Sequence, residues 1–294
     1  LRHLGVPGAG AADALSFALA NRLVANRPGA GAFEIPLSQF SVRFAQDAAF
    51  AVTGAEGEID REGEPVTPHT CHRIAAGQSL TLGPAQAGAR RYLALSGGVI
   101  GTEVLGAITT YLPAGLGGHL GRALKAGDVI PIGTQNPSQA EIGLKTPLAL
   151  RPRFGAEMAL RASPGAEFDM LSAASRNALF ADAFTVSRRA DRMGLGLEAA
   201  LRFDGSDPVA RGRMASAPVL PGTMQGPPDG APFLLMADAQ TTGGYPRLLQ
   251  VIEADLYLIG QLRPGARVRF LRRTPEDGLA DTRARTALLA EWLG

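Results

Sequence analysis

The sequence predicts a mainly β protein with a few helices, arranged as two β-rich halves. Three observations carry that expectation. The chain has 37 glycines and 21 prolines among 294 residues, about a fifth of the total, and both residues damage helix interiors. Period-two alternation recurs, as in FSVRFA, where Phe40, Val42 and Phe44 alternate with Ser41 and Arg43. Finally, the pattern Ala/Pro-Gly-x-x-apolar-x-apolar appears at 76–82, 126–132 and 264–270. It reads as a glycine turn launching a half-buried strand. The second and third copies close the two halves. The boundary falls near residue 150, where Pro147 and Pro152 flank LALR, giving segments 1–150 and 151–294.

The elements follow in order. Residues 13–26 form the first helix, with Leu15, Ala18, Leu19 and Leu23 at helical spacing and Asp13 placed to cap the free amides. Strands are expected at 40–44, 48–53, 79–82, 91–95 and 128–132. A second helix covers 166–181, with Phe168, Leu171 and Leu179 on its apolar side. Strands follow near 183–187, 231–237 and 247–252, then a short helix over 253–262. Val268 and Phe270 alternate with Arg267 and Arg269 in the last strand. A closing helix, 276–292, brings Leu288, Leu289 and Trp292 to one side.

Composition excludes several classes. With 46% apolar and 19% charged residues the chain can bury a large core, so it is not generally disordered. The net charge is +2 and no dense basic block stands out, so nucleic acid is not an expected partner. A single cysteine, Cys71, excludes an internal disulfide. With an opening, LRHLGVPGAG, that lacks signal-peptide character, it points to the cytoplasm. Residues 92–118 carry one charge, Glu103, yet their seven glycines and Pro113 would disrupt a lipid-exposed helix. They are expected to be buried strands and glycine turns, and no membrane is expected as a partner.

Standard catalytic signatures are missing: there is no Gly-x-Ser-x-Gly elbow, no phosphate loop and no complete GxGxxG. No methionine-flanked lysine is present, so no biotin is expected on this chain. His69, Cys71 and His72 invite a metal reading, but zinc needs three or four ligands, and the other histidines, His3 and His119, are far off. No metal site is expected; the segment reads as a polar loop before the 79–82 strand. Arginines 263, 267, 269, 272 and 273 suggest either an anion site or the wet face of a strand.

Three segments are unusual. In MADAQTTGGY, 236–245, a strand ends in Asp238, Gln240, Thr241 and Thr242, delivering polar groups to one place, and Gly243 and Gly244 permit a tight turn and close approach of a ligand. Asp238 has the chemistry of an acid or base, and the amide and hydroxyls that of holding an amide or carboxylate. A β-turn with polar caps would use the same residues. In LPGTMQGPPDG, 220–230, Gln225 is an amide on a stiff proline-rich loop. In DRMG, 191–194, Arg192 has a fork for a carboxylate or phosphate, or for an ion pair with Asp191 or another acid.

These segments, with GVPGAGAADALSFALANRLVAN (5–26), YLALSGGV (92–99), LGAITTYLPAGLGGHLGRALKAGD (105–128) and LMADAQTTGGYPRL (235–248), resemble the family called allophanate hydrolase subunit 2, or biotin-dependent carboxyltransferase-like, over nearly the whole chain. That family includes the C subunit of 5-oxoprolinase, KipA-type regulators and part of urea carboxylase. The resemblance implies two cyclophilin-like β-barrel subdomains. It implies two partners, one KipI-like (the B subunit) and one LamB/YcsF-like (the A subunit). It implies an ATP-dependent 5-oxoprolinase, a hydrolase active in complex that opens the lactam of 5-oxoproline to glutamate. The alternatives are a carboxyltransferase moving carboxyl from biotin to urea or another amide, and a non-enzymatic regulator binding a kinase inhibitor. With no lysine-rich nucleotide loop here, ATP is expected mainly on another subunit. Under this resemblance Arg192 clamps an anion, Gln225 and Gln240 orient the substrate, and Asp238 transfers a proton. Asp191, Thr241, Thr242, Gly243, Gly244, Tyr245, Ser96, Gly97 and Gly98 would line the same cleft. The chain departs from the family at GAITT, 106–110, where Ile108 stands in place of an arginine, and at Gly196, also commonly arginine. The family's usual opening is expected to be clipped before Leu1.

Overall fold

The structure is a computed structural model that describes residues 1–134, 140–204 and 214–293. Two compact units make up the chain. The N-terminal unit is Asp13–Phe154 with Trp292–Gly294; the C-terminal unit is Gly155–Glu291 with Leu1–Ala12. The fold is mainly β, with four α-helices among the described residues.

The N-terminal unit opens with α1 (Ala14–Leu23). Asp13 caps it, its Oδ1 accepting from the Ser16 amide at 2.8 Å and its Oδ2 from the Ser16 hydroxyl at 2.6 Å. Eight strands follow: β1 (Phe33–Pro36), β2 (Phe40–Arg43), β3 (Ala48–Glu56), β4 (Ile59–Arg61), β5 (Glu64–Pro65), β6 (Cys71–Ile74), β7 (Ser79–Leu82) and β8 (Ala87–Leu95). They form two four-stranded sheets, β1-β8-β3-β6 and β2-β7-β4-β5. Phe50, Leu80, Leu82 and Leu93, none of them solvent-exposed, belong to one core cluster with residues of both sheets. Strands β3 and β8 are buried nearly throughout, because α1 lies on the other side of their sheet. The Thr53 hydroxyl donates to Ser16 O at 2.6 Å, and the Asp13 amide to the Tyr92 hydroxyl at 2.8 Å.

The C-terminal unit holds β9 (Glu157–Pro164), α2 (Ala173–Ala181), β10 (Ala183–Ala190), β11 (Gly194–Glu198), β12 (Ala217–Pro218), β13 (Thr223–Gln225), β14 (Phe233–Leu235), β15 (Thr242–Gly243), β16 (Arg247–Val251), α3 (Leu256–Ile259) and β17 (Arg267–Arg272). Seven of its strands close a barrel in the order β10-β11-β14-β13-β16-β9-β17. Alternation fills it: Met158, Leu160 and Ala162 of β9, Phe184 and Val186 of β10, and Val268 and Phe270 of β17 are buried, with Phe184 and Phe270 rings 5.9 Å apart. Strands β12 and β15 pair outside the barrel. Helix α4 (Pro275–Leu293) closes the chain.

Several expectations are corrected. The 128–132 segment makes no strand; Ile132 forms one isolated bridge with Val99. Residues 96–118 form the expected glycine turns, with positive φ at Gly97, Gly98, Gly106, Gly115, Gly117 and Gly118, but not the expected buried strands: β8 stops at Leu95, and Leu105 and Leu112 are exposed, Leu112 in a 3₁₀ turn. The 166–181 helix is broken into a 3₁₀ turn, Phe168–Met170, and α2, because the Ser172 hydroxyl accepts from the Ser175 amide at 3.3 Å and restarts the helix. The 231–237 strand shortens to Phe233–Leu235. On α4 only Gly278 is buried, so Leu288 does not sit on a covered stripe.

Candidate functional site

Two turns in the C-terminal unit meet through an ion pair. The Asp191 side chain folds onto its own turn, accepting from the Met193 amide at 2.7 Å and the Gly194 amide at 3.0 Å. It is thereby occupied as a turn cap, and Arg192 reaches another acid. The Arg192 guanidinium donates to Asp238 from Nε (2.8 Å, to Oδ2) and from Nη2 (2.8 Å, to Oδ1), and Nη2 also donates to Gly10 O at 2.5 Å. The Asp238 amide returns a bond to Arg192 O at 2.9 Å. Asp238 is 1% exposed. Both carboxylate oxygens are engaged by one fork, a geometry suited to holding two turns in register.

Beside the 237–238 turn along the chain stands an amide pair. Gln225, on β13, is 2% exposed. Its Oε1 accepts from Gln240 Nε2 at 3.1 Å, and its Nε2 lies 3.5 Å from Tyr245 O. The Oε1 of the half-buried Gln240 has no protein partner among the described residues. Gly243 is demanded by close approach: a Cβ there would stand 2.4 Å from Gln225 Nε2. Thr242 and Gly243 pair with Pro218 and Ala217, and Thr241 O accepts from the Val219 amide at 3.0 Å. Gly244 passes close to Met214 O, 3.3 Å from where its own Cβ would lie. Thr242 and Tyr245 are exposed. The structure thus brings Gln225, Gln240, Gly243 and Tyr245 together, and joins Arg192 to Asp238; no hydrogen bond between the two groups is among those described.

Ser96, Gly97 and Gly98 belong to the N-terminal unit. Ser96 and Gly97 line a cavity of about 230 Å³ with Asn26, Arg27, Ala30 and Thr134. Sequence reasoning gives no site role to Asn26, the last residue of the 5–26 segment, or to Arg27; both lie just past α1. A second, open cavity of about 400 Å³ lies in the C-terminal unit against Ser172, Ser175, Asp182, Glu198 and Arg202, none of them predicted.

The PHTCH segment holds no metal cluster among the described residues. It is also less of a loop than expected, since Cys71 and His72 begin β6. His69 is buried with Nδ1 3.3 Å from the Thr146 hydroxyl, and burial, then Arg151, lowers its pKa to about 4. His72 bonds Thr67 O at 2.8 Å. Burial pushes the Cys71 thiol up to about 11. Of the terminal arginines, Arg267 and Arg269 of β17 pair with Glu157 at 3.6 and 3.1 Å, as expected on a wet strand face, and Arg273, just past the strand, pairs with Asp281 of α4 at 3.0 Å.

The chain belongs to the family of the carboxyltransferase domain, subdomains A and B, whose model matches residues 4–272. Among curated relatives, the C subunit of 5-oxoprolinase from Escherichia coli is 38% identical over 279 residues, covering 95% of this chain and 86% of its own. Urea amidolyase of Saccharomyces cerevisiae is 28% identical, covering 92% of this chain and 15% of its own. The solved structure of the K. lactis urea amidolyase superposes with a TM-score of 0.89 at 24% identity, over 98% of this chain and 18% of that one, and so shares the fold. This chain spans less than a fifth of the length of either yeast protein.

Proposed function

We propose that the chain is the C subunit of an ATP-dependent 5-oxoprolinase, acting with partner subunits to hydrolyse the lactam of 5-oxoproline to glutamate. The observation that carries this reading is the match to the E. coli 5-oxoprolinase protein over 95% of the chain. The amide pair supports it chemically. A lactam presents one N–H donor and one C=O acceptor, and Gln240 Oε1, without a protein partner among the described residues, is an acceptor of the kind the lactam N–H needs. Gln225 holds Gln240 through its Oε1. Arg192 and Asp238 act as positioning residues for the turn leading to Gln240, rather than as free clamp and free base. Hydrolysis breaks the ring C–N bond and adds water across it, the hydroxyl to the carbonyl carbon and the proton to the amine.

Among the described residues, neither of these two cavities holds a lysine or a glycine-rich loop opening a helix, the features that would favour a nucleotide. ATP is therefore assigned to a partner, and no step here is routed through it. Partnership has support on the surface of the N-terminal unit. Ile100, Leu105, Leu112, Leu116, Leu120 and Val129 are each exposed, apolar side chains of the kind a further polypeptide would cover.

The second reading is a carboxyltransferase of a biotin-dependent urea or amide system, favoured by the family description and the S. cerevisiae relative. Co-expression with the KipI-like and LamB/YcsF-like partners, followed by assay of ATP-dependent glutamate release from 5-oxoproline, decides between them. Release supports the first reading. Its absence with every component folded overturns it, and biotin-carrier-dependent carboxylation of urea would then establish the second.

A further inference from the structure

The cavity of the N-terminal unit is built around a rigid floor. The chain leaves α1 through Ala25 in the left-handed region, φ +58. Asn26 then ties three segments together: Nδ2 donates to Leu95 O at 2.7 Å and to Asn21 Oδ1 at 2.9 Å, and Oδ1 accepts from the Gly97 amide at 2.9 Å. Asn21 in turn donates to Ala30 O at 2.9 Å. Gly97 is required here, with φ +88 and a would-be Cβ 2.6 Å from Gly133 O. These polar groups satisfy one another and hold the walls.

Two other polar groups are left over. Ser96 is 3% exposed, and its hydroxyl has no protein partner among the described residues. Arg27, an exposed residue that lines the cavity, has no acidic partner among them. Among the described residues no carboxylate lines the cavity, and Thr134 adds another hydroxyl. A cation, a nearly buried hydroxyl donor and no competing acid select an oxyanion. A planar guanidinium matches a carboxylate with two parallel N–H···O bonds.

We infer that this cavity binds a small carboxylate, with Arg27 gripping the carboxylate and Ser96 donating to it. The inference rests on the proposed function only for the choice of ligand, since both 5-oxoproline and glutamate carry a carboxylate. The other small oxyanion with matching chemistry is inorganic phosphate.

The test is calorimetric titration of the full chain, alone and in the assembled complex, with 5-oxoproline, with 2-pyrrolidinone (the same lactam without its carboxylate) and with inorganic phosphate. The expected result is binding of 5-oxoproline at least tenfold tighter than of 2-pyrrolidinone or phosphate. Arg27→Ala should weaken it tenfold or more, and Arg27→Lys should restore part. Ser96→Ala should weaken it severalfold. Arg27 is exposed, so its variants keep the fold, which circular dichroism checks. Equal binding of 2-pyrrolidinone, tighter binding of phosphate, no binding at all, or indifference to Arg27→Ala overturns the inference. Arg27-dependent binding without glutamate release would sink the oxoprolinase reading and leave the site standing. Glutamate release by a complex whose binding of 5-oxoproline is indifferent to Arg27→Ala would do the reverse.

Discussion

Replacing Asp238 by Asn separates a structural pin from a catalytic acid. Asp238 is 1% exposed, and the Arg192 side chain facing it is 21% exposed. Removing the negative charge takes the Asp238 carboxylate away from a largely desolvated guanidinium, and breaking one side of a buried pair costs about 3–5 kcal/mol. In a domain of this size each kcal/mol shifts the melting temperature by roughly 2–4 °C, so Asp238→Asn should melt about 10 °C lower than the parent. Arg192→Met should cost about as much. The double variant Arg192→Met/Asp238→Leu should recover part of the loss, because both members of the pair are then replaced by apolar groups. Urea unfolding of the full chain followed by circular dichroism measures all three. A loss below about 1 kcal/mol in Asp238→Asn, below the range for a broken buried pair, would refute the pinning argument. If such a stable variant also lost glutamate release in the complex, Asp238 would have to be returned to a direct chemical role.

Two further outcomes follow from the geometry. Gly243→Ala places a methyl 2.4 Å from Gln225 Nε2. It should destabilise the chain by about 1–3 kcal/mol through overpacking and lower turnover by displacing the amide pair; an unchanged urea midpoint and unchanged turnover would count against that close approach. His69 is held neutral, with its pKa lowered from 6.5 to about 4. Above pH 6.5 neither folded nor unfolded chain protonates it, so its contribution is constant. As pH falls from 6.5 toward 4 the unfolded state gains a proton that the folded state refuses, and stability drops by up to about 3 kcal/mol. His69→Asn, a residue that tolerates the φ of +57 found there, should remove that part of the slope when urea midpoints are compared from pH 7.5 to pH 4. Parallel profiles for parent and variant would show that His69 titrates normally.

Local signals are legible wherever a residue's neighbours in sequence decide its state. Asp13 caps the predicted helix because an N-cap bond spans three residues. What escapes is decided by residues far apart. Arg192 and Asp238 are 46 positions apart, and the sequence offers Arg192 an adjacent acid, Asp191, that the turn amides have already claimed. Sequence names the amide pair residue by residue, but only the structure shows that Gln225 and Gln240 touch. Arg27 carries no signal, since an exposed arginine after a helix looks like ordinary surface until Ser96, 69 positions further along, is seen to share its cavity.

The recurring glycine pattern shows where local information stops. All three copies make the same turn. Gly77, Gly127 and Gly265 have φ of +86, +90 and +82. In each, the residue after the glycine donates to the carbonyl three residues back: Gln78 to Ala75 at 3.1 Å, Asp128 to Lys125 at 3.1 Å and Ala266 to Arg263 at 3.0 Å. A type II turn needs a positive φ at its third position, which glycine supplies without strain, so four residues suffice to specify it. The strands expected after these turns do not share one outcome. After Gly77, β7 finds β2 and β4; after Gly265, β17 finds β9 and β10. After Gly127, Ile132 forms one isolated bridge among the described residues, with Val99. A turn closes its hydrogen bond within itself, whereas a strand satisfies its amides only against a neighbour that the whole fold must deliver. The same distinction separates the polar segments that sequence can name from the partners that give them chemistry.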